Sequence, residues 1–210
     1  MNDFLIVNHI EQGTDEWRSW RKRVIGASDA PTIMGENPWS KPEHLIKEKM
    51  GLVQEFRGNH ATREGHALED IARQKASNYL GIEYFPKIIQ DSKHAFLAAS
   101  LDGMSDDGTS ILEIKSGAKS HAHTLSTGQI PDYYYAQLQH MLMISEFDSL
   151  FYASFRPNEK LIVLEVERDD DYIEVLFQKE LDFVNIMKKR GHKVQDKFLG
   201  TRIIIQKDGR

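Results

Sequence analysis

The sequence predicts an α/β (α+β) fold, a central mixed β-sheet flanked by helices. Three observations carry this expectation. Helical periodicity dominates the first 80 residues, strand-like runs gather between residues 82 and 166, and a long amphipathic helix follows them. With 210 residues, 40% hydrophobic and 28% charged, the chain is long enough for one soluble domain with its own core. That core is expected over about residues 11–190, with a tail at 191–210 and no internal repeat or linker.

Composition removes several classes of function. Without cysteine there is no disulfide framework, thiolate nucleophile or Cys-ligated zinc or iron–sulfur site. This fits a reducing, cytoplasmic setting. No apolar run approaches the roughly 20 residues that span a bilayer. The run Phe4 to Val7 lacks the basic flank and small-residue cleavage site of a signal peptide. A net charge of −5 argues against a generic basic coat for nucleic acid. It leaves room for a local basic patch, for which Arg18, Arg21, Lys22 and Arg23 are candidates, a solvated helix face being the plain alternative.

The elements follow in order. Thr14, Asp15 and Glu16 open a helix running to about Arg23, with Trp17, Trp20 and Val24 as its apolar stripe. Ser28 is read as the N-cap of a short helix ending near Gly35. Pro42 starts a helix that Gly51 ends, and a longer one runs from about His60 to Tyr79, stopped by Gly81. Ile82 to Gln90 and Ala95 to Ser100 read as strands. Asp106-Asp107-Gly108 is a hairpin turn, and Ser110 to Lys115 the returning strand. Lys119 to Ile130, polar and rich in His, Ser and Thr, reads as a loop. Asp132 to Ile144 is a helix, Leu150 to Phe155 and Leu161 to Val166 a hairpin around Pro157-Asn158, and Asp169 to Lys189 a helix with charges in macrodipole order. A short strand is expected at Ile203 to Ile205.

The chemistry concentrates at the predicted hairpin. Glu113 and Lys115 share one strand face while Ile114 points into the core. The turn brings Asp102 back beside Glu113. Two carboxylates and an ammonium then converge, a set able to hold a hard divalent cation while Lys115 holds or polarises a water. The spacing alone is weak, because charged hairpin residues ordinarily face water. Glu69 adds a third carboxylate on the long helix, with Gly65, Ala72, Arg73 and Ala76 nearby, so that another element can approach it. Gln137 and Gln139 lie on a helix where both cannot face one core; one satisfied amide and one surface amide are expected.

Read together and in order, these segments resemble the phage lambda exonuclease / YqaJ-type viral recombinase family within the PD-(D/E)XK nucleases. The matching pieces are Trp17-Arg18-Ser19-Trp20-Arg21, Gly26-Ala27-Ser28-Asp29-Ala30 and Arg63-Glu64-Gly65-His66-Ala67-Leu68-Glu69. They continue with Ser100-Leu101-Asp102-Gly103, Leu112-Glu113-Ile114-Lys115 and Tyr135-Ala136-Gln137-Leu138-Gln139, over about residues 11–175. One departure is plain. The family's usual Pro before the aspartate is Leu101 here, which is expected to alter turn rigidity and not metal binding.

The resemblance implies a restriction-endonuclease-like core and a set of roles. Asp102, Glu113 and the carbonyl of Ile114 would be metal ligands, with Glu69 completing a two-ion site for Mg2+, or Mn2+. Lys115 would position the attacking water, and Gln137 would orient Lys115 or the phosphate. Arg21 and Ser28 would bind the 5′-phosphate of the cut strand. It implies a processive 5′→3′ exonuclease on linear double-stranded DNA ends that releases mononucleotides and leaves 3′ single strands. It also implies a homotrimer and a single-strand annealing protein as partner. The rival readings are an endonuclease of the same superfamily, which needs no terminal-phosphate pocket, and a non-catalytic DNA-end-binding module, which needs no carboxylates facing phosphates.

Weaker signals remain. His121, His123 and His140 are a poor tetrahedral zinc set and are expected at the surface near DNA. Tyr133 to Tyr135 read as core with one polar handle, base stacking being the alternative. Trp39, between Pro38 and Lys41, is open to a strand-separating role that the resemblance does not reach.

Overall fold

The computed structural model describes the backbone of residues 3–54 and 60–204, and side chains from 4–54 and 67–201. The chain's strands are β1 (Asp3–Ile6), β2 (Ile25–Gly26), β3 (Tyr84–Asp91), β4 (Leu97–Ser105), β5 (Ile111–Lys115), β6 (Ser149–Ser154), β7 (Ile162–Glu167) and β8 (Thr201–Ile204). Its helices are α1 (Asp15–Arg21), α2 (Ala30–Met34), α3 (Pro42–Lys49), α4 (His60–Leu80), α5 (Ala118–Thr127), α6 (Asp132–Ser145) and α7 (Asp170–Lys189). One sheet runs in the order β7-β6-β5-β4-β3-β1-β8, with β2 pairing on β4. The sheet is mixed. β5 pairs with β6 in parallel across a crossover containing α5 and α6, and β2 is parallel to β4; the other pairs are antiparallel. No helix of the described residues is long and apolar enough to cross a membrane.

Strand alternation separates two faces. Ile111 packs in the large core cluster with Leu138 and Met141 of α6, whereas Leu112 and Ile114 pack with Ala72 and Ala76 of α4. Neighbouring strand residues point to opposite faces. Helices α6 and α4 therefore cover β5 from opposite sides. Ala72 and Ala76 are fully buried, so the absence of longer side chains there lets α4 lie close on the sheet.

Local chemistry explains several element ends. The Thr14 side chain accepts the Trp17 amide, as an N-cap worth about 1 kcal/mol does. Asp169 caps α7 through the Tyr172 amide, and Pro42 opens α3. Asn158 takes a φ of 64° in the β6–β7 turn, where a short polar side chain tolerates it.

Three expectations are corrected. Ser28 is not an N-cap: it lies inside a 3-10 turn over Ala27–Asp29 that leads into α2. The expected loop at 119–130 is helix α5, because its buried face is made of Ser120, His121 and Thr124. Phe4 to Val7, read only as an apolar run, contributes to β1, which pairs with β3 and β8. The final strand is described over Thr201–Ile204, and Ile205 lies outside the described residues.

Candidate active site

The site begins with an irregularity in β4. Phe85 pairs with Met104 and Lys87 with Leu101, so Pro86 alone stands opposite both Asp102 and Gly103. This is a β-bulge, and Pro86, lacking an N–H, suits it. The core follows the phase slip: Leu97, Ala99 and Leu101 alternate into the large cluster, and Met104, three residues further on, rejoins it. Gly103 has to be glycine. A Cβ there would lie 2.8 Å from the Tyr84 Cβ and 3.2 Å from the Leu112 Cβ. The bulge leaves main-chain groups to be satisfied by side chains. Gln12 donates to the carbonyls of Lys87 and Leu101, at 3.2 Å each, and Arg73 Nε donates to the Asp102 carbonyl at 2.5 Å.

Beyond the bulge, β4 pairs with β5 through Gly103 opposite Leu112 and Met104 opposite Ile111. The Asp102 carboxylate then accepts the Ile114 amide at 2.8 Å. Glu113 is 2% exposed. Its Oε1 accepts from Lys115 Nζ at 2.5 Å and from Gln137 Nε2 at 2.7 Å. Its Oε2 is buried with no hydrogen-bond partner. The Lys115 ammonium also lies 4.8 Å from the centre of the Tyr134 ring. The structure thus brings Asp102, Glu113, Ile114, Lys115 and Gln137 together.

The charges are poised against one another. Burial, followed by the Glu113 charge, pushes the Asp102 carboxyl well above the usual carboxylate range. Burial alone would lower the Lys115 ammonium, but the Glu113 and Asp102 carboxylates hold it above its ordinary value. A buried carboxylate oxygen with no partner is costly, and it points to a cation as the missing partner. Asp102 and Glu113 supply hard oxygen donors of the kind Mg2+ or Mn2+ prefers. The residues present therefore fit a divalent cation.

Glu69 approaches from α4. It is near enough for its charge to raise Asp102 further, while its Oε1 accepts from Arg73 Nη2 at 2.7 Å. Arg73 Nη1 reaches Asp70 at 2.7 Å. One guanidinium therefore ties Glu69 to the Asp102 main chain. Among the described residues, no three His, Cys, Asp or Glu side chains are grouped tightly enough to hold a metal ion without rearrangement. Arg63, Glu64, Gly65 and His66 lie outside the described side chains. Arg73 was visible in the sequence as the i+4 neighbour of Glu69, but its bond to Asp102 required the bulge.

Arg21 and Ser28 are together. Arg21 Nη2 donates to Ser28 Oγ at 2.8 Å, and its guanidinium stacks 4.7 Å from the Trp17 ring centre. Trp17 Nε1 in turn donates to Ser100 Oγ at 3.0 Å, two residues before Asp102. Beneath Ser28, buried Asp29 pairs with buried Lys49 at 2.6 Å and accepts the Gly26 amide at 2.8 Å. Burial would raise the Asp29 carboxyl, but the Lys49 and Arg21 charges hold it below its ordinary value. The Asp29–Lys49 pair was missed in the sequence because its partners come from separate elements.

Several weaker expectations change. Both amides of α6 are buried on different faces: Gln137 binds Glu113, and Gln139 donates to the Glu167 carbonyl at 2.8 Å and accepts from the Asp169 amide at 3.0 Å. His121 and His140 are buried, and only His123 of the three is exposed. His140 Nε2 faces the Ala98 carbonyl at 3.0 Å and Nδ1 faces Glu180 at 2.7 Å. Burial opposes a charge on His140, and Glu180 outweighs it and holds the imidazole above its ordinary value, while burial in turn raises the Glu180 carboxyl. Leu101 lies inside β4 and is fully buried, so its departure from the family pattern changes core packing and no turn. Arg18 is paired with exposed Asp15. Tyr133, Tyr134 and Tyr135 are half-buried; Tyr134 packs against the large core cluster, and the Tyr135 hydroxyl donates to Asp169 at 2.8 Å.

The comparisons with known proteins agree with this architecture. Residues 16–148 match the YqaJ-like viral recombinase domain. Protein YqaJ of Bacillus subtilis (strain 168) is 30% identical over 186 residues, 86% of this chain and 58% of its own length. Protein R354 of Acanthamoeba polyphaga mimivirus is 26% identical over 167 residues, 73% of this chain and 30% of its own length. The chain thus spans less than two thirds of these relatives. The crystal structure of the alkaline exonuclease LHK-Exo from Laribacter hongkongensis superposes with a TM-score of 0.73 at 24% identity, covering 84% of this chain and 94% of that one. A phage-related exonuclease from Haemophilus somnus 129PT gives a TM-score of 0.53 at 16% identity, covering 79% and 92%. These two likenesses show the fold, a mixed sheet flanked by helices. With the family match spanning more than half of its residues, the chain belongs to the YqaJ-like viral recombinase domain family.

Proposed function

We propose that this chain is a metal-dependent, processive 5′→3′ exonuclease on linear double-stranded DNA that releases mononucleotides and leaves 3′ single strands. The observation that carries this reading is the partnerless buried Oε2 of Glu113, set beside Asp102, Lys115 and Gln137. The names of the similar structures, an alkaline exonuclease and a phage-related exonuclease, support it, as does a complex of the former with dAMP.

A bound Mg2+ or Mn2+ would polarise the phosphate and activate water. Asp102, Glu113 and the Ile114 carbonyl would hold one ion, and Glu69 would contribute to a second. The remaining work belongs to the protein. Gln137 fixes the Glu113 carboxylate through its amide. Lys115, charged and only 19% exposed in its side chain, donates to the attacking water or to a phosphate oxygen as negative charge develops. Arg73 holds Glu69 and the Asp102 backbone in one frame. Arg21 and Ser28 receive the terminal 5′-phosphate, with the guanidinium already oriented by Trp17. A homotrimer around DNA would account for processivity, and a single-strand annealing protein would take up the 3′ strand in recombination.

Direction is tested with duplexes labelled at one end. A 5′-terminal label should appear at once in mononucleotide, and a 3′-terminal label should stay in long strands. Early release of the 3′ label would overturn the assigned polarity.

A further inference from the structure

An aromatic series leads from the candidate active site to the surface. Lys115 Nζ lies over Tyr134. Tyr134 meets Tyr133 edge-on, with ring centres 4.6 Å apart, and Tyr133 meets Trp39 edge-on at 5.0 Å. Trp39 ends the series at 76% exposure. On α6, Tyr133 stands one turn before Gln137, so the aromatic face continues the face that binds Glu113. Trp39 is also held in place from behind. Its amide donates to Asn37 Oδ1 at 2.9 Å, and Asn37 Nδ2 donates to Thr32 Oγ1 of α2 at 2.7 Å.

We infer that Trp39 and Tyr133 form a stacking platform for the unpaired bases of the DNA strand whose phosphate reaches Lys115. The inference rests on the nuclease reading above. Glu113 is buried, so a phosphate approaching it brings its nucleotide down from the duplex surface. That nucleotide loses its neighbours in the base stack and needs a flat apolar surface in exchange. Every base offers a π-face, so rings held by fixed backbone serve without reading sequence. The exposed ammonium of Lys41 lies two residues beyond Trp39 on the same loop, a charge suited to the strand's backbone. An edge-to-face ring pair leaves the open face of Trp39 available to a base.

The test uses binding without cutting. A 3′-fluorescein oligothymidylate carrying a 5′-phosphate is titrated in EDTA, and anisotropy reports affinity. Trp39→Ala should weaken binding about 5- to 150-fold, and Trp39→Phe should retain most of it. Tyr133→Ala should weaken binding and Tyr133→Phe should not. The Trp39→Ala ratio should be the same at low and high salt, whereas the ratio for Arg21→Ala, which loses a phosphate contact, should shrink as salt rises. Wild-type affinity in Trp39→Ala, while wild type cuts linear duplex, overturns the platform and leaves the nuclease reading intact. A change in subunit association in Trp39→Ala without a change in strand affinity also overturns it, and assigns Trp39 to contact with a second copy. A wild-type protein that neither binds the strand nor cuts duplex overturns both readings.

Discussion

Gly103→Ala separates the account of the bulge from a general account of the fold. The added Cβ would stand 2.8 Å from the Tyr84 Cβ and 3.2 Å from the Leu112 Cβ, against an ordinary carbon contact of about 3.5–4.0 Å. Both neighbours are first side-chain atoms on paired strands, so no rotamer change relieves the clash. The strands have to part by roughly 0.7 Å at the first contact. Overpacking of this kind costs about 1–3 kcal/mol. For a chain of this size that lowers the melting temperature by about 2–12 °C. The movement falls on Asp102, the adjacent residue, and a misplacement approaching 1 Å costs on the order of 100-fold in rate. Thermal unfolding by circular dichroism gives the first quantity, and Mg2+-dependent digestion of linear duplex well below the transition gives the second. A variant that melts with wild type and digests at the wild-type rate would refute the argument that the bulge is tight and that it aims Asp102.

Three further outcomes follow from other contacts. Arg73→Ala frees Glu69 and the Asp102 carbonyl together, so the Mg2+ concentration for half-activation should rise about 10- to 100-fold while DNA affinity measured in EDTA stays the same; an unchanged Mg2+ requirement would contradict the positioning role. Asp29→Asn breaks a buried pair and should cost about 3–5 kcal/mol at neutral pH in denaturant unfolding. Because the folded carboxyl titrates below its ordinary 3.8, its stabilisation is complete above that value and is lost as pH falls through the lowered one. The variant should therefore lose less stability than wild type on acidification below about pH 4, and parallel acid profiles would count against the pair. Gln139→Ala should cost about 1–3 kcal/mol with the digestion rate kept, since it strands the Glu167 carbonyl and the Asp169 amide far from the chemistry. Gln137→Ala should do the reverse, and exchanged phenotypes would show that the two α6 faces are misassigned.

The parts of the fold legible in the sequence are those set by local rules. Thr14 and Asp169 cap helices through amides within one turn, and Pro42 opens one with its fixed φ. Glu113 and Lys115 share a face because strands alternate, and Asp106-Asp107-Gly108 returns the chain as a turn of that composition does. Other features depend on distant partners. The bulge at Asp102–Gly103 exists only in the register against Pro86, although Pro and Gly in adjacent strands were its visible cues. Helix α5 hid its period because its buried face is polar, with His121 bonded to Ser154. His140 reads as a surface histidine in the sequence, and the partner that accompanies its burial, Glu180, lies 40 residues away. Strand β1 is four residues long and takes its meaning from β3 and β8.

The most direct measurement of the central claim is digestion of linear duplex DNA with Mg2+, comparing 5′-phosphate with 5′-hydroxyl ends. A closed circle and the Lys115→Ala variant serve as controls. The account predicts mononucleotides from the phosphorylated linear duplex, slow or no release from the hydroxyl-ended one, an intact circle, and no product from the variant. Cutting of the circle would replace the exonuclease reading with an endonuclease, and end binding without any cutting would leave Asp102, Glu113 and Lys115 without the role assigned to them.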